Sequence, residues 1–149
     1  MAHHHTLNVG PLGLQCGAVL PETTIAYACY GTLAADGANA KLVTHGYTSS
    51  HRILASGGGI AEGSWANLYG PGQPFDPQRD FIVCPNMLGS CYGSTGPAST
   101  NPHTGRPYGL DFPPITISDI VASQKALLQA LGVTHLRAVV GPSMGGFQA

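Results

Sequence analysis

Charge is scarce in this sequence: only 9% of its 149 residues are charged, and six Lys and Arg against seven Asp and Glu leave a formal net charge of -1. Phosphate backbones and anionic lipid surfaces are held by basic stripes, so neither nucleic acid nor a membrane surface is expected as a partner. There is no apolar run of the roughly eighteen residues that a bilayer span needs, and the start lacks the apolar core of a signal peptide. The four cysteines, Cys16, Cys29, Cys84 and Cys91, form no C-x-x-C pair, which argues against a zinc or dithiol site. The expectation is a soluble protein of a reducing, cytoplasmic compartment with no bound metal. No internal repeat and no linker divides the chain, so residues 1–149 read as part of one domain.

Glycine and proline are abundant instead, 21 and 12 residues, more than a fifth of the chain. They cluster between apolar segments, which marks long ordered loops rather than low-complexity sequence. The opening "MAHHHT" reads as a shortened purification tag or a frayed terminus, and residues 1–6 are placed outside the fold on that basis.

"TTIAYACYG" (Thr23 to Gly31) alternates in the manner of a strand. "KLVTHG" (Lys41 to Gly46) and "DFIVCPN" (Asp80 to Asn86) are short apolar runs that end in turn residues, as strands covered on both faces do. From Ile117 to Leu131 the period becomes helical, with Ile117, Ile120, Val121, Leu127, Leu128 and Leu131 on one stripe. Thr116 and Asp119 have the spacing of a capping pair, and Gly132 stands where a left-handed C-terminal residue is wanted. "VTHLRAVVG" then supplies another strand. Strand, helix, strand is the crossover unit of an α/β fold. The stretch from Leu88 to Pro114 is long for a loop, about 27 residues, and loops of that length usually carry function.

The last strand runs into Gly141-Pro142-Ser143-Met144-Gly145, which fits G-x-S-x-G, the strained turn that lifts a serine hydroxyl above the sheet in α/β-hydrolases. By itself the pattern is weak, since about one chain in five of this composition would contain it by chance. Its position directly after a strand that follows a capped helix is what makes Ser143 the candidate nucleophile. A serine needs a base, and in this fold the aspartate and histidine follow the serine in the chain. Only Met144 to Ala149 follow here. Of the upstream histidines, His45 is expected to be packed and hydrogen-bonded and His135 to sit at the far edge of the sheet from the turn; His51 and His103 fall in loops. An oxyanion needs two backbone amides: Met144 supplies one, and "HGYTSS" nominates Tyr47 for the other. Cys91 has no cationic neighbour in sequence and reads as a loop cysteine.

"HGYTSSHRI", "GSCYGSTGP" (Gly89 to Pro97), "ITISDIV" and "GPSMGG", in this order and at these intervals, resemble the amino-terminal half of the homoserine O-acetyltransferase family of α/β-hydrolase-fold acyltransferases. The resemblance runs from about Thr23 to Ala149. It implies an α/β-hydrolase fold, a mostly parallel sheet with flanking helices, truncated after the nucleophile turn and without the lid. It implies an O-acyltransferase of methionine biosynthesis that takes an acyl group, acetyl in the first instance, from acetyl-CoA or another acyl-CoA co-substrate onto Ser143. The group then passes to the hydroxyl of homoserine or a similar small acceptor, with the amides of Tyr47 and Met144 as oxyanion hole. The family's aspartate and histidine fall beyond Ala149, so a homodimer or a second chain is the expected source of the missing half. This chain departs from the family's His-Ala-Leu-Thr in having His45-Gly46-Tyr47-Thr48, and "SSHRILASGGGIAEGSW" is unlike the usual linker. Two alternatives stand beside the transferase: a serine esterase using the same turn with water, and an inert fragment that depends on a partner chain.

Overall fold

The computed structural model describes residues 3–56 and 64–149, so part of the unusual linker lies outside the described residues. Five strands form the main sheet: β1 (His3–Asn8), β4 (Thr24–Tyr30), β5 (Ala40–Val43), β6 (Phe81–Pro85) and β9 (Ala138–Val140). Their order across the sheet is β1-β4-β6-β5-β9. The strands expected from the sequence are all present. The sheet, however, is mixed rather than mostly parallel. β1/β4 and β4/β6 are antiparallel, while β6/β5 and β5/β9 are parallel. An antiparallel neighbour needs only a short return, here through the small hairpin β2 (Leu12–Gly13) and β3 (Val19–Leu20), whereas each parallel step needs a crossover.

The opening residues do not lie outside the fold from His3 onward. His3 to Asn8 pair with Cys29 to Thr24 along the whole length of β1. The edge of β4 offers a ladder of backbone groups, and a polar strand satisfies them as well as an apolar one, because an edge strand asks for backbone pairing before side-chain burial.

Side chains alternate across β4, β5 and β6 and build two cores. Tyr27, Leu42 and Val83 face α1 (Ile117–Ala130), meeting Ile120, Leu127 and Leu128. Ala28, Val43, Ile82 and Cys84 face the other way, against Ile53, Leu54 and Phe75. The second face is covered by the irregular chain between β5 and β6, where Trp65 stacks on Phe75 at 6.2 Å and Tyr30 meets Tyr69 at 4.7 Å. One α-helix, not several, flanks the sheet among the described residues.

That helix is bounded as its sequence requires. Asp119 N–H donates to Thr116 Oγ1 at 3.3 Å and Thr116 N–H donates to an Asp119 carboxylate oxygen at 2.7 Å, a reciprocal cap. At the other end Val133 N–H reaches Leu128 O and Gly132 N–H reaches Gln129 O, with Gly132 at φ 77°, the paired closing bonds of a Schellman turn. The helix returns the chain to β9 beside β5 and so delivers Gly141 to the top of the sheet. The 88–114 stretch is not structureless. It holds a hairpin, β7 (Thr100–Asn101) with β8 (Arg106–Pro107), and a 3-10 turn at Gly109–Asp111. Thr24 N–H to Thr95 Oγ1 (2.8 Å) and Ala26 N–H to Ser94 Oγ (3.1 Å) stitch it onto β4.

Candidate active site

Ser143 has φ 52°, and among the described residues it is the single non-glycine with a left-handed backbone. That region costs an L-residue free energy, so it persists where neighbours over-determine it. The neighbours here are the residues just past β5. Thr44 N–H donates to Val140 O at 2.9 Å and Thr44 Oγ1 donates to Gly145 O at 2.8 Å. Gly145 N–H closes on Pro142 O at 2.8 Å. The two motif glycines are explained by the same contact: a Cβ on Gly145 would stand 2.6 Å from Thr44 O, and one on Gly141 2.7 Å from it. The turn is pressed so closely onto the end of β5 that only glycine fits on either side of the serine. After Ser143 the chain winds as a 3-10 turn, Ser143–Gly145.

Ser143 is exposed. The residue after it, Met144, lines a cavity of about 720 Å³ together with Tyr47 and Thr48, the 87–92 segment and the start of α1. Two of the residues nominated from sequence, Tyr47 and Met144, therefore line one cavity although 97 positions separate them, and Ser143, next to Met144 in the chain, is not among the lining residues. Tyr47 is 78% exposed, so its ring is at the rim. Gly89, Ser90, Cys91 and Tyr92 line the same cavity, which gives the "GSCYG" loop its place in the site. Among the described residues, no Lys, Arg, His, Asp or Glu lines this cavity.

The histidines are elsewhere. His45 is 1% exposed; Met87 N–H donates to its Nε2 at 3.2 Å, so the ring proton is on Nδ1 and donates to Gly46 O at 2.8 Å. With both nitrogens occupied and burial holding its pKa below the ordinary value, His45 serves as a structural post between β5 and the 87–92 segment. His51 is buried, edge-on to His4 at 5.4 Å, and burial, with the nearby His4 and Arg52 charges, pushes its pKa down to about 4. His103 lies in the exposed turn between β7 and β8, and His135 precedes β9 while Ser143 follows it. Among the described residues no histidine is hydrogen-bonded to Ser143. Among the described residues no cluster of three or more His, Cys, Asp or Glu side chains could hold a metal ion, and no helix is long and apolar enough to cross a membrane.

Residues that the sequence did not announce are Thr44, already described, and Gln148, 5% exposed, whose amide touches Met144, His45, Met87 and Gln124. A polar residue five positions past the serine carries no signal of its own; burial alone reveals it.

A crossover sheet bearing a left-handed serine at the end of a parallel strand defines the α/β-hydrolase fold, and solved structures agree. Esterase E22 superposes with a TM-score of 0.87 at 36% identity, over 100% of this chain and 43% of its own. Homoserine O-acetyltransferase from Bacillus anthracis gives 0.87 at 29% identity, over 100% and 42%. The chain is similar in sequence to the homoserine O-acyltransferases: 52% identical over 141 residues to homoserine O-succinyltransferase of Methylibium petroleiphilum, and 54% over 141 residues to homoserine O-acetyltransferase of Moorella thermoacetica. These matches take in 93% and 92% of this chain but 36% and 37% of the relatives, so the chain spans little more than a third of their length. No family model matches.

Proposed function

We propose that this chain carries the nucleophile turn and oxyanion amides of an O-acyltransferase that uses an acyl-CoA donor and homoserine or a similar hydroxylated acceptor. The observation that carries the reading is Ser143, held in a left-handed turn and exposed beside a cavity that Tyr47 and Met144 both line. Ser143 Oγ attacks the thioester carbonyl, and its proton passes to a base. The amides of Tyr47 and Met144 donate to the oxyanion of the tetrahedral intermediate, where such donors are worth most. As the intermediate collapses the carbon–sulfur bond breaks and the CoA thiol leaves with a proton, giving acyl-Ser143. The acceptor hydroxyl then attacks the ester, gives up its proton, and carries the acyl group away as Ser143 recovers its own.

The base is not among the described histidines in this reading, because His45 is engaged on both nitrogens and none of the others bonds to Ser143. It comes from a further segment of polypeptide or from a partner chain, and the 149 residues by themselves do not turn over. A cytoplasmic location and a step of methionine biosynthesis go with the same proposal.

Esterase activity is the second reading, favoured by the 36% identity to esterase E22 against 29% for the Bacillus anthracis acetyltransferase at equal TM-score. Incubation with acetyl-CoA, with and without homoserine, separates the two. Transferase predicts an acetyl mass on Ser143 that is discharged faster when homoserine is present. Release at one rate in both samples means water is the acceptor. No mass on Ser143 in the native-length protein removes both readings.

A further inference from the structure

The side chain of Gln148 is sealed between the two turns that carry the candidate oxyanion amides. Its Nε2 lies 3.1 Å from Met144 O, 3.4 Å from His45 O and 3.1 Å from Met87 Sδ, and its Oε1 accepts from Gln124 Nε2 at 2.7 Å. Which end of the amide is nitrogen follows from the partners: three acceptors converge on one end and a donor meets the other, so the reversed amide would oppose oxygen to carbonyl oxygen. Met144 O belongs to the residue whose N–H faces the acyl site in the reading above. His45 O lies two residues before Tyr47. Met87 is a wall of the same cavity. One buried amide thus ties together both arms of the candidate oxyanion hole and Met87 of the cavity lining, and Gln124 fixes that amide to α1.

We propose that Gln148 is a positioning residue that sets the separation of the Tyr47 and Met144 amides and thereby the strength of the oxyanion hole; this rests on the acyl-serine reading. Thr44 already joins β5 to the turn through Gly145 O, but it holds the base of the turn. Gln148 holds the Met144 carbonyl and the entrance to the Tyr47 turn. Hydrogen bonds to a developing oxyanion weaken steeply with misplacement, and full loss of one donor costs about 10²–10³-fold in rate. A displaced pair of donors gives a smaller loss.

The test uses the native-length protein with p-nitrophenyl acetate and its thiono analogue, in which sulfur replaces the carbonyl oxygen and is a poor acceptor for the amides. Gln148→Met and Gln148→Leu replace the Nε2 donor by apolar atoms of similar bulk. Expected for both is a fall in Ser143 acylation of about 10–100-fold with KM within about threefold. The oxygen-to-sulfur rate ratio should also drop toward one, because the oxygen ester loses the help that the thiono ester never had. The two replacements differ in shape, so the Gln148→Leu variant carries the test if the Gln148→Met variant does not fold. An unchanged acylation rate overturns the proposal. So does a lower rate with the ratio kept at its parent value, which is what general loosening of the fold produces. If the parent protein forms no acyl-Ser143, the functional reading itself fails and this inference falls with it, an outcome distinct from a parent that acylates and a variant that matches it.

Discussion

The backbone at Ser143 is the most direct place to test whether the turn stores strain. Two substitutions remove the hydroxyl equally: Ser143→Ala keeps a Cβ at φ 52°, and Ser143→Gly does not. A left-handed conformation costs a residue with a Cβ about 1–2 kcal/mol. Glycine releases that strain but makes the unfolded chain more flexible, by about 0.5–1 kcal/mol. The Ser143 side chain makes no hydrogen bond among the described residues, so loss of the hydroxyl adds nothing to either balance. The net expectation is that Ser143→Gly is more stable than Ser143→Ala by about 0.5–1 kcal/mol, while neither variant accepts an acyl group. For a domain of this size that is a Tm difference of about 1–4 °C, read by calorimetry or by circular dichroism melts run in parallel. A glycine variant that melts with or below the alanine variant refutes the claim that the serine is held under strain.

Gly145→Ala puts a methyl group 2.6 Å from Thr44 O and should cost about 1–3 kcal/mol in urea unfolding; parental stability would mean that the turn is not pressed onto β5. Leu127→Ala, at a position with 0% exposure between α1 and the sheet, should cost about 2–5 kcal/mol by the same measurement, and a loss below 1 kcal/mol would contradict the packing. Acid should destabilise the fold through His51, whose pKa of about 4 lies below its ordinary 6.5. The unfolded chain takes up a proton that the folded one refuses, so stability is full above pH 6.5 and falls as pH drops toward 4, by about 2 kcal/mol once partial solvent screening is allowed for. His45 is shifted the same way and adds to the slope, so His51→Gln should reduce the difference between urea midpoints at pH 7 and pH 4.5 without abolishing it. An unaltered slope would show that His51 does not titrate in this window.

Most of the fold is legible in the sequence where local rules and tertiary demands coincide. The helix is the clearest case, because Thr116, Asp119 and Gly132 satisfy backbone groups within a turn of themselves and need no distant partner. The strands at β4, β5 and β6 are readable for the same reason: alternation and apolar runs are local consequences of facing a core. β1 is hidden because an edge strand asks only for backbone pairing, which His3 to Thr6 supply as well as valines would. The mixed direction of the sheet is hidden too, since strand order is settled by which edges meet and the parallel or antiparallel sense leaves little mark on a single strand.

The sequence by itself determined the covalent facts of the site: a serine between glycines after a strand, with Tyr47 and Met144 as the residues whose amides come into question. The tertiary structure alone decided that Tyr47 and Met144 line one cavity, that His45 is spent on Gly46 and Met87, and that Gln148 is buried between the two turns. The reason is one of range. A glycine pattern reports steric room within a few residues, whereas a hydrogen bond spanning 103 positions, as from Gln148 to His45, exists only once the sheet has brought the ends of β5 and β9 side by side.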